Sequence, residues 1–102
     1  MYSARDQVEN EEWLAELEAA ADRLDLGGDA RSYAVELFLS SVPDADRSKR
    51  PALAASLYAG SLVASDGRTQ TAVADAVGVS RLSIQQRWKE VLESAGLEPP
   101  SW

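Results

Sequence analysis

The sequence predicts an all-α domain of five helices that ends in a helix-turn-helix. Three observations point there. Apolar residues recur at three- and four-residue steps in five stretches between positions 10 and 95, and no stretch reads convincingly as a strand. Glycine or proline punctuates the ends of those stretches. The run "ADAVGVSRLSIQQRWKE", residues 74–90, has a small residue, a glycine turn, a capping serine and two apolar anchors in register.

The first helix is expected from Asn10 to Leu24, with Trp13, Leu17, Ala20, Ala21 and Leu24 as its apolar stripe and Asn10 as N-cap. Ser3 with Asp6 three residues on offers an earlier start, and Gly27-Gly28 is the expected stop. The second runs from about Asp29, its expected cap, to Val42. Ala30, Ala34, Leu37, Phe38 and Ser41 share a face, and Pro43 enforces the end. A polar connection, "PDADRSKR", leads to a third helix beginning near Pro51, a residue suited to a first helical turn. Leu53, Ala54, Leu57, Tyr58, Ser61 and Leu62 mark its buried face, and Asp66-Gly67 closes it. Ala, Ser and Leu surround this helix, so it is expected to be the central one. The fourth is short, Gln70 to Val77 capped by Thr69, with Val73, Ala76 and Val77 facing inward and Gly78 turning the chain. The fifth runs from Arg81, after the cap Ser80, to Ala95, on a stripe of Ile84, Trp88, Val91, Leu92 and Ala95. The expected layout is a segment 1–9, a domain 10–96 with the helix-turn-helix at 69–95, and a tail 97–102.

Composition narrows the function. A chain of 102 residues has room for one domain, one that buries somewhat over ~60% of its unfolded surface. No run approaches the ~18 apolar residues of a membrane span. The start, "MYSARDQVENEEW", lacks the basic and apolar regions of a secretory signal, so a cytoplasmic location is expected. Cysteine and histidine are absent, which excludes thiolate or imidazole zinc sites, disulfides, and Ser/His or Cys/His nucleophilic catalysis. Gly27-Gly28 has neither GxGxxG spacing nor a following Lys-Ser/Thr, so no phosphate-cradling loop is read. The reading is a non-enzyme without metal or cofactor.

The turn motif carries the functional information. Ala74, four residues before Gly78, lets two helices cross closely, and Gly78 permits positive φ. Val79 plugs the space between the helices, Ser80 caps the next one, and Ile84 and Trp88 anchor it. Arg81, Leu82, Gln85, Gln86 and Lys89 are left outward, with Ser80 and Ser83 at the helix start. That set suits a major groove: Arg addresses guanine, Gln adenine, and Leu a thymine methyl. Thr69 and Gln70 at the start of the fourth helix, with Lys49, Arg50 and Arg68, are candidate phosphate contacts. The bland alternative, a turn between packed helices with a polar outer face, stays open on these residues alone.

The stretch "LAASLYAGSLVASDGRTQTAVADAVGVSRLSIQQRWKE" resembles the later part of a cyclin-like repeat of archaeal transcription factor B, the relative of eukaryotic TFIIB. The landmarks are Leu57-Tyr58-Ala59, Arg68-Thr69-Gln70, Gly78-Val79 and Ile84 through Lys89. The five-helix order over 10–95 resembles one whole repeat, the second. The resemblance implies a cyclin-like fold whose terminal helix-turn-helix reads promoter DNA in the major groove upstream of the TATA box. By position, Leu82 matches an apolar base-contacting residue, and Gln85 stands where the family usually has a DNA-contacting Arg. The family's zinc ribbon would need Cys or His ligands, and this chain contains neither. Its first repeat, which supplies most of the contact to TATA-binding protein, is also missing. The chain is therefore expected to be either an excised domain or a small stand-alone relative rather than a complete initiation factor, and its "MY" start, with no obvious tag, favours the stand-alone relative. Double-stranded DNA is the expected partner, with TATA-binding protein, RNA polymerase or a second copy beside it. A docking module that binds the transcription machinery without reading DNA is the alternative, and Gln85 favours it slightly.

The net charge of −7 conceals a division. Residues 1–46 hold 12 acidic and 3 basic side chains, and residues 47–102 hold 5 acidic and 7 basic. The negative average therefore does not describe the half that would face DNA. Glu9, Glu12 and Glu16, and Glu18, Asp22 and Asp25, repeat at helical steps, where like charges cost a few tenths of a kcal/mol each in dilute salt. Only Lys49 and Lys89 are lysines, against eight arginines. This pattern fits a salt-loaded cytoplasm, where the Debye length falls to ~3 Å at molar salt. The thermal midpoint is expected to be higher in molar KCl than in dilute buffer; equal midpoints would remove the halophilic reading. The acidic helix is read as a solvated face in preference to a docking face for a basic partner. Trp13 is read as core, and Trp102 as either folded back or held for a partner.

Overall fold

The computed structural model describes residues 10–98, and within them the chain forms five α-helices and no strand. Helix α1 spans Glu11–Arg23, α2 Gly28–Ser41, α3 Asp46–Val63, α4 Gln70–Val77 and α5 Arg81–Ser94. The all-α class and the number and order of helices agree with the reading of the sequence. The alternative start at Ser3 and Asp6, and Trp102, lie outside the described residues.

The stripe of α1 packs inward through Leu17, Ala20 and Ala21, with Leu24 behind them. Trp13 is only half-buried, and the Arg50 guanidinium lies 5.4 Å from its ring centre. Asn10 occupies the N-cap position, but its side chain makes no capping bond. The expected stop at Gly27-Gly28 comes too late. Asp25 turns left-handed at φ 55°, and the Leu26 N–H reaches back to the Ala21 carbonyl at 3.1 Å. This closes the helix without a glycine. Gly27 instead becomes the N-cap of α2, the role expected of Asp29. Asp29 sits inside the first turn, where its charge complements the positive end of the helix dipole.

Helix α3 starts at Asp46, five residues ahead of the expected Pro51, so "DRSKR" is helical rather than connecting loop. Pro51 deprives only the Arg47 carbonyl of a partner, and Arg47 is exposed to water. The far end repeats the device of α1: Ser65 adopts φ 57° and the Asp66 N–H bonds the Ser61 carbonyl at 2.8 Å. Asp66-Gly67 therefore follows the stop and does not make it. Between these ends α3 touches all four other helices, and residues Ala52 to Ser61 are buried without interruption. The buried Ser56 and Ser61 hydroxyls donate to the Ala52 and Tyr58 carbonyls of their own helix at 2.8 and 2.7 Å, so neither polar group is stranded.

Helices α2 and α3 cross closely at Gly60. A Cβ on Gly60 would stand 2.8 Å from the Ala34 backbone nitrogen and 3.1 Å from the Ala30 carbonyl oxygen. Ala30 and Ala34 were expected on the buried face of α2; that Gly60 is their counterpart is visible only once the helices are placed.

Asp66 links two connections. Its Oδ2 accepts the Gly27 N–H at 2.9 Å and its Oδ1 accepts from Arg68 Nη1 at 2.8 Å. Arg68 also donates from Nε to the Leu24 carbonyl at 2.9 Å and from Nη2 to the Asp25 carbonyl at 3.0 Å, tying the α1–α2 turn to the α3–α4 turn. The Gly27 N–H first, and Arg68 second, hold the Asp66 carboxyl below the ordinary aspartate range. The native state thus binds this proton less readily than the unfolded chain. The resulting stability is present above the ordinary aspartate pKa and is lost as pH falls through the lowered native value. Asp66→Asn is expected to be less stable than wild type at neutral pH and to converge on it as the pH drops through that window. A stability difference independent of pH, followed by urea unfolding, would contradict this.

Candidate nucleic-acid interface

Two capped helices and one left-handed residue set the geometry of the last third of the chain. The Thr69 hydroxyl oxygen accepts the Ala72 N–H at 3.0 Å and starts α4. Gly78, at φ 86°, ends it, with its own N–H on the Ala74 carbonyl at 2.8 Å. Ser80 then caps α5 by accepting the Ser83 N–H at 3.2 Å. All three landmarks stand where the sequence puts them. Val79 is half-buried against the core, as are Ala72 and Ala76. On α5, Ile84, Trp88, Val91 and Leu92 are buried. Ala95, expected on that stripe, is exposed because the helix has already ended and Gly96 turns the chain at φ 77°.

Burial of one face of α5 leaves Arg81, Leu82, Gln85 and Gln86 exposed on the other. Leu82 is 57% exposed, the most open large apolar side chain among the described residues. Ser83 is half-buried and its hydroxyl lies 3.0 Å from that of Ser80, so this pair serves the cap. Lys89 is half-buried with its Nζ 5.5 Å from the centre of the Trp88 ring.

Gln70, the first residue of α4, joins this face. Its Nε2 donates to Gln85 Oε1 at 2.7 Å, and its Oε1 accepts from Arg81 Nη1 at 3.2 Å. The structure therefore brings Gln70, Arg81 and Gln85 together, with Thr69 adjacent.

The other phosphate candidates are placed differently. The Arg68 guanidinium is occupied by the Leu24, Asp25 and Asp66 oxygens described above and braces the fold. Arg50 lies at the opposite end of α4, ~12 Å along its axis from Gln70. There it donates to the Val77 carbonyl at 3.3 Å, approaches Glu16 at 3.6 Å and covers Trp13. Lys49 pairs with Asp46 of its own helix at 3.2 Å. Of the five cationic or polar groups proposed for phosphate, only Thr69 and Gln70 stand beside the outer face of α5.

Arg23 was not singled out from the sequence. Its Nη1 donates to the Ala76 carbonyl at 2.9 Å, so it and Arg50 serve the last carbonyls of α4 from α1 and α3. A basic residue in the last turn of α1 was the only available signal, and it pointed to that helix's own dipole. Among the described residues no helix is long and apolar enough to cross a membrane.

Comparison with known proteins places the arrangement. A family model described as the transcription factor TFIIB repeat matches residues 9–94. The transcription initiation factor IIB of Methanothrix thermoacetophila is 32% identical over 78 residues, covering 74% of this chain and 23% of its own length. That of Pyrococcus abyssi is 35% identical over 83 residues, covering 78% and 28%. That of Archaeoglobus fulgidus is 32% identical over 78 residues, covering 74% and 24%. The chain spans about a quarter of the length of these relatives.

Proposed function

The chain belongs to the transcription factor TFIIB repeat family, and from that premise we propose that α4 and α5 work as a helix-turn-helix that reads duplex DNA in transcription initiation or its regulation. The observation that carries the reading is the outer face of α5. Arg81, Leu82, Gln85 and Gln86 stand in solvent on a helix whose opposite side is locked into the core. A leucine held in water among hydrogen-bonding side chains matches the mixed chemistry of a major groove, where a thymine methyl lies beside donors and acceptors.

The phosphate contribution is small in this proposal. Arg68 and Arg50 are engaged by the protein itself, which leaves Thr69, Gln70 and the first N–H groups of α4 nearest the DNA backbone. Specificity then rests on base contacts, each good bidentate pair being worth ~1–3 kcal/mol. One domain with few phosphate contacts calls for help on DNA. A second copy, a TATA-binding protein or a polymerase surface is the proposed source. No catalytic role is proposed, in keeping with relatives named as initiation factors.

Amide shifts followed during titration with promoter-like and scrambled duplexes, at low and high salt, test this. Localised shifts at Arg81, Leu82, Gln85 and Gln86 are expected with the promoter-like duplex. Diffuse shifts that vanish with salt would instead favour a docking module that does not read bases. Arg81→Ala is expected to relax the base preference at one position by roughly tenfold; an unchanged preference would remove Arg81 from the reading set.

A further inference from the structure

The three-residue chain Arg81–Gln70–Gln85 has a direction, and that direction determines what Gln85 offers to a ligand. A guanidinium has donors and no acceptor. Arg81 Nη1, 3.2 Å from the Gln70 amide, must therefore meet its oxygen. The nitrogen of the same amide then faces Gln85 at 2.7 Å, and Gln85 must present its own oxygen to it. Two amides that could each be turned either way are set by one arginine. The Gln85 oxygen is taken by Gln70 of α4, which leaves the NH2 group as the other end of an amide on a solvent-exposed side chain.

We propose that Gln70 is a positioning residue that makes Gln85 a hydrogen-bond donor toward DNA, and so a specificity determinant for an acceptor-bearing base edge. The proposal rests on the DNA reading given above and deepens it. In the major groove the acceptor edges are guanine N7 and O6, adenine N7 and thymine O4, whereas cytosine presents its N4 amine. An unrestrained glutamine can turn its amide to address either kind of edge. A glutamine whose oxygen is held by Gln70 selects acceptors and disfavours cytosine on the strand it faces. Gln70 reaches the base only through Gln85. It is half-buried at the first position of α4, where its side chain has no part in the core or the cap.

Selection from randomised duplexes at one fixed salt concentration tests this with wild type, Gln85→Ala, Gln70→Ala and Gln70→Glu. Loss of preference in Gln85→Ala identifies the base position concerned. Wild type is expected to reject cytosine there by roughly tenfold, and Gln70→Ala to lose most of that rejection with its thermal midpoint unchanged. Gln70→Glu is the sharper variant. The new carboxylate still pairs with Arg81 but can only accept, so Gln85 must turn its NH2 inward and its oxygen outward. Preference at that position is then expected to move toward cytosine N4 or adenine N6. If wild type selects a sequence and both Gln70 variants keep its preference at that position, the positioning role is overturned and DNA reading stands. If wild type selects no sequence, DNA reading falls and the positioning role with it.

Discussion

Trp88→Ala is expected to lower the unfolding free energy by about 3–5 kcal/mol, the range for deleting a buried aromatic side chain. Trp88 is 1% exposed and meets Tyr58 of α3 edge-on, with ring centres 5.3 Å apart and planes at 86°. Among the described residues it is the largest fully buried side chain, and it lies where α5 rests on the central helix. Its removal takes away transfer energy, an aromatic contact worth ~0.5–1.5 kcal/mol, and the packing that aims α5. For a domain of this size each kcal/mol moves the thermal midpoint by roughly 4–8 °C. The loss should therefore be visible by circular dichroism as a midpoint lowered by well over 10 °C, or as failure to fold. Trp88→Phe keeps most of the volume and is expected to lose less than half as much. A cost below ~1 kcal/mol for the alanine variant would mean that α5 is held by other contacts.

Gly60→Ala is expected to cost about 1–3 kcal/mol or more, although it adds a single methyl group. The added carbon has backbone on the other side, Ala34 N at 2.8 Å and Ala34 Cα at 3.0 Å, so no side chain can swing away to admit it. Helices α2 and α3 must separate, and they form the most extensive helix pair in the domain. The control lies in the same chain. Gly28, the first residue of α2, has nothing within 4 Å of a Cβ. Gly28→Ala should be neutral or stabilising by up to ~1 kcal/mol, because alanine is the better helix former. Urea unfolding of both variants checks the pair; equal effects would contradict the close-crossing account.

The contrast between these glycines shows where the sequence was legible. Local signals were read well where one residue type does one job. Thr69, Gly78 and Ser80 each announce a cap or turn by their own chemistry, and the stripe Ile84–Trp88–Val91–Leu92 announces its face by spacing. Signals were misread where a residue serves either of two purposes. Pro51 suits a first turn, but the second turn tolerates it when the lost bond faces water. Gly27-Gly28 resembles a stop, yet Asp25 had already taken the left-handed position with a polar side chain. The outer face of α5 was legible because its burial pattern is periodic. The bracing roles of Arg50 and Arg68 were not legible because, apart from Asp66 and Gly67 beside Arg68, their hydrogen-bond partners lie 27 to 44 residues away in the chain. No spacing rule reaches that far, and the same holds for the Gln70–Gln85 and Gln70–Arg81 bonds.

The bonds from Arg23 and Arg50 to the end of α4 have a consequence for motion. A helix of eight residues is far below the ~12–15 at which an isolated helix becomes even marginally stable. Left to itself it would fray on its own schedule, and the helix after it would wander in angle. Here its first turn is closed by Thr69, and its last carbonyls are gripped by two arginines rooted in α1 and α3. Opening the end of α4 therefore requires breaking bonds made by side chains of α1 and α3. The acidic and basic halves of the chain thereby meet at α4, and the angle at which α5 leaves the turn is set in part by side chains of α1 and α3.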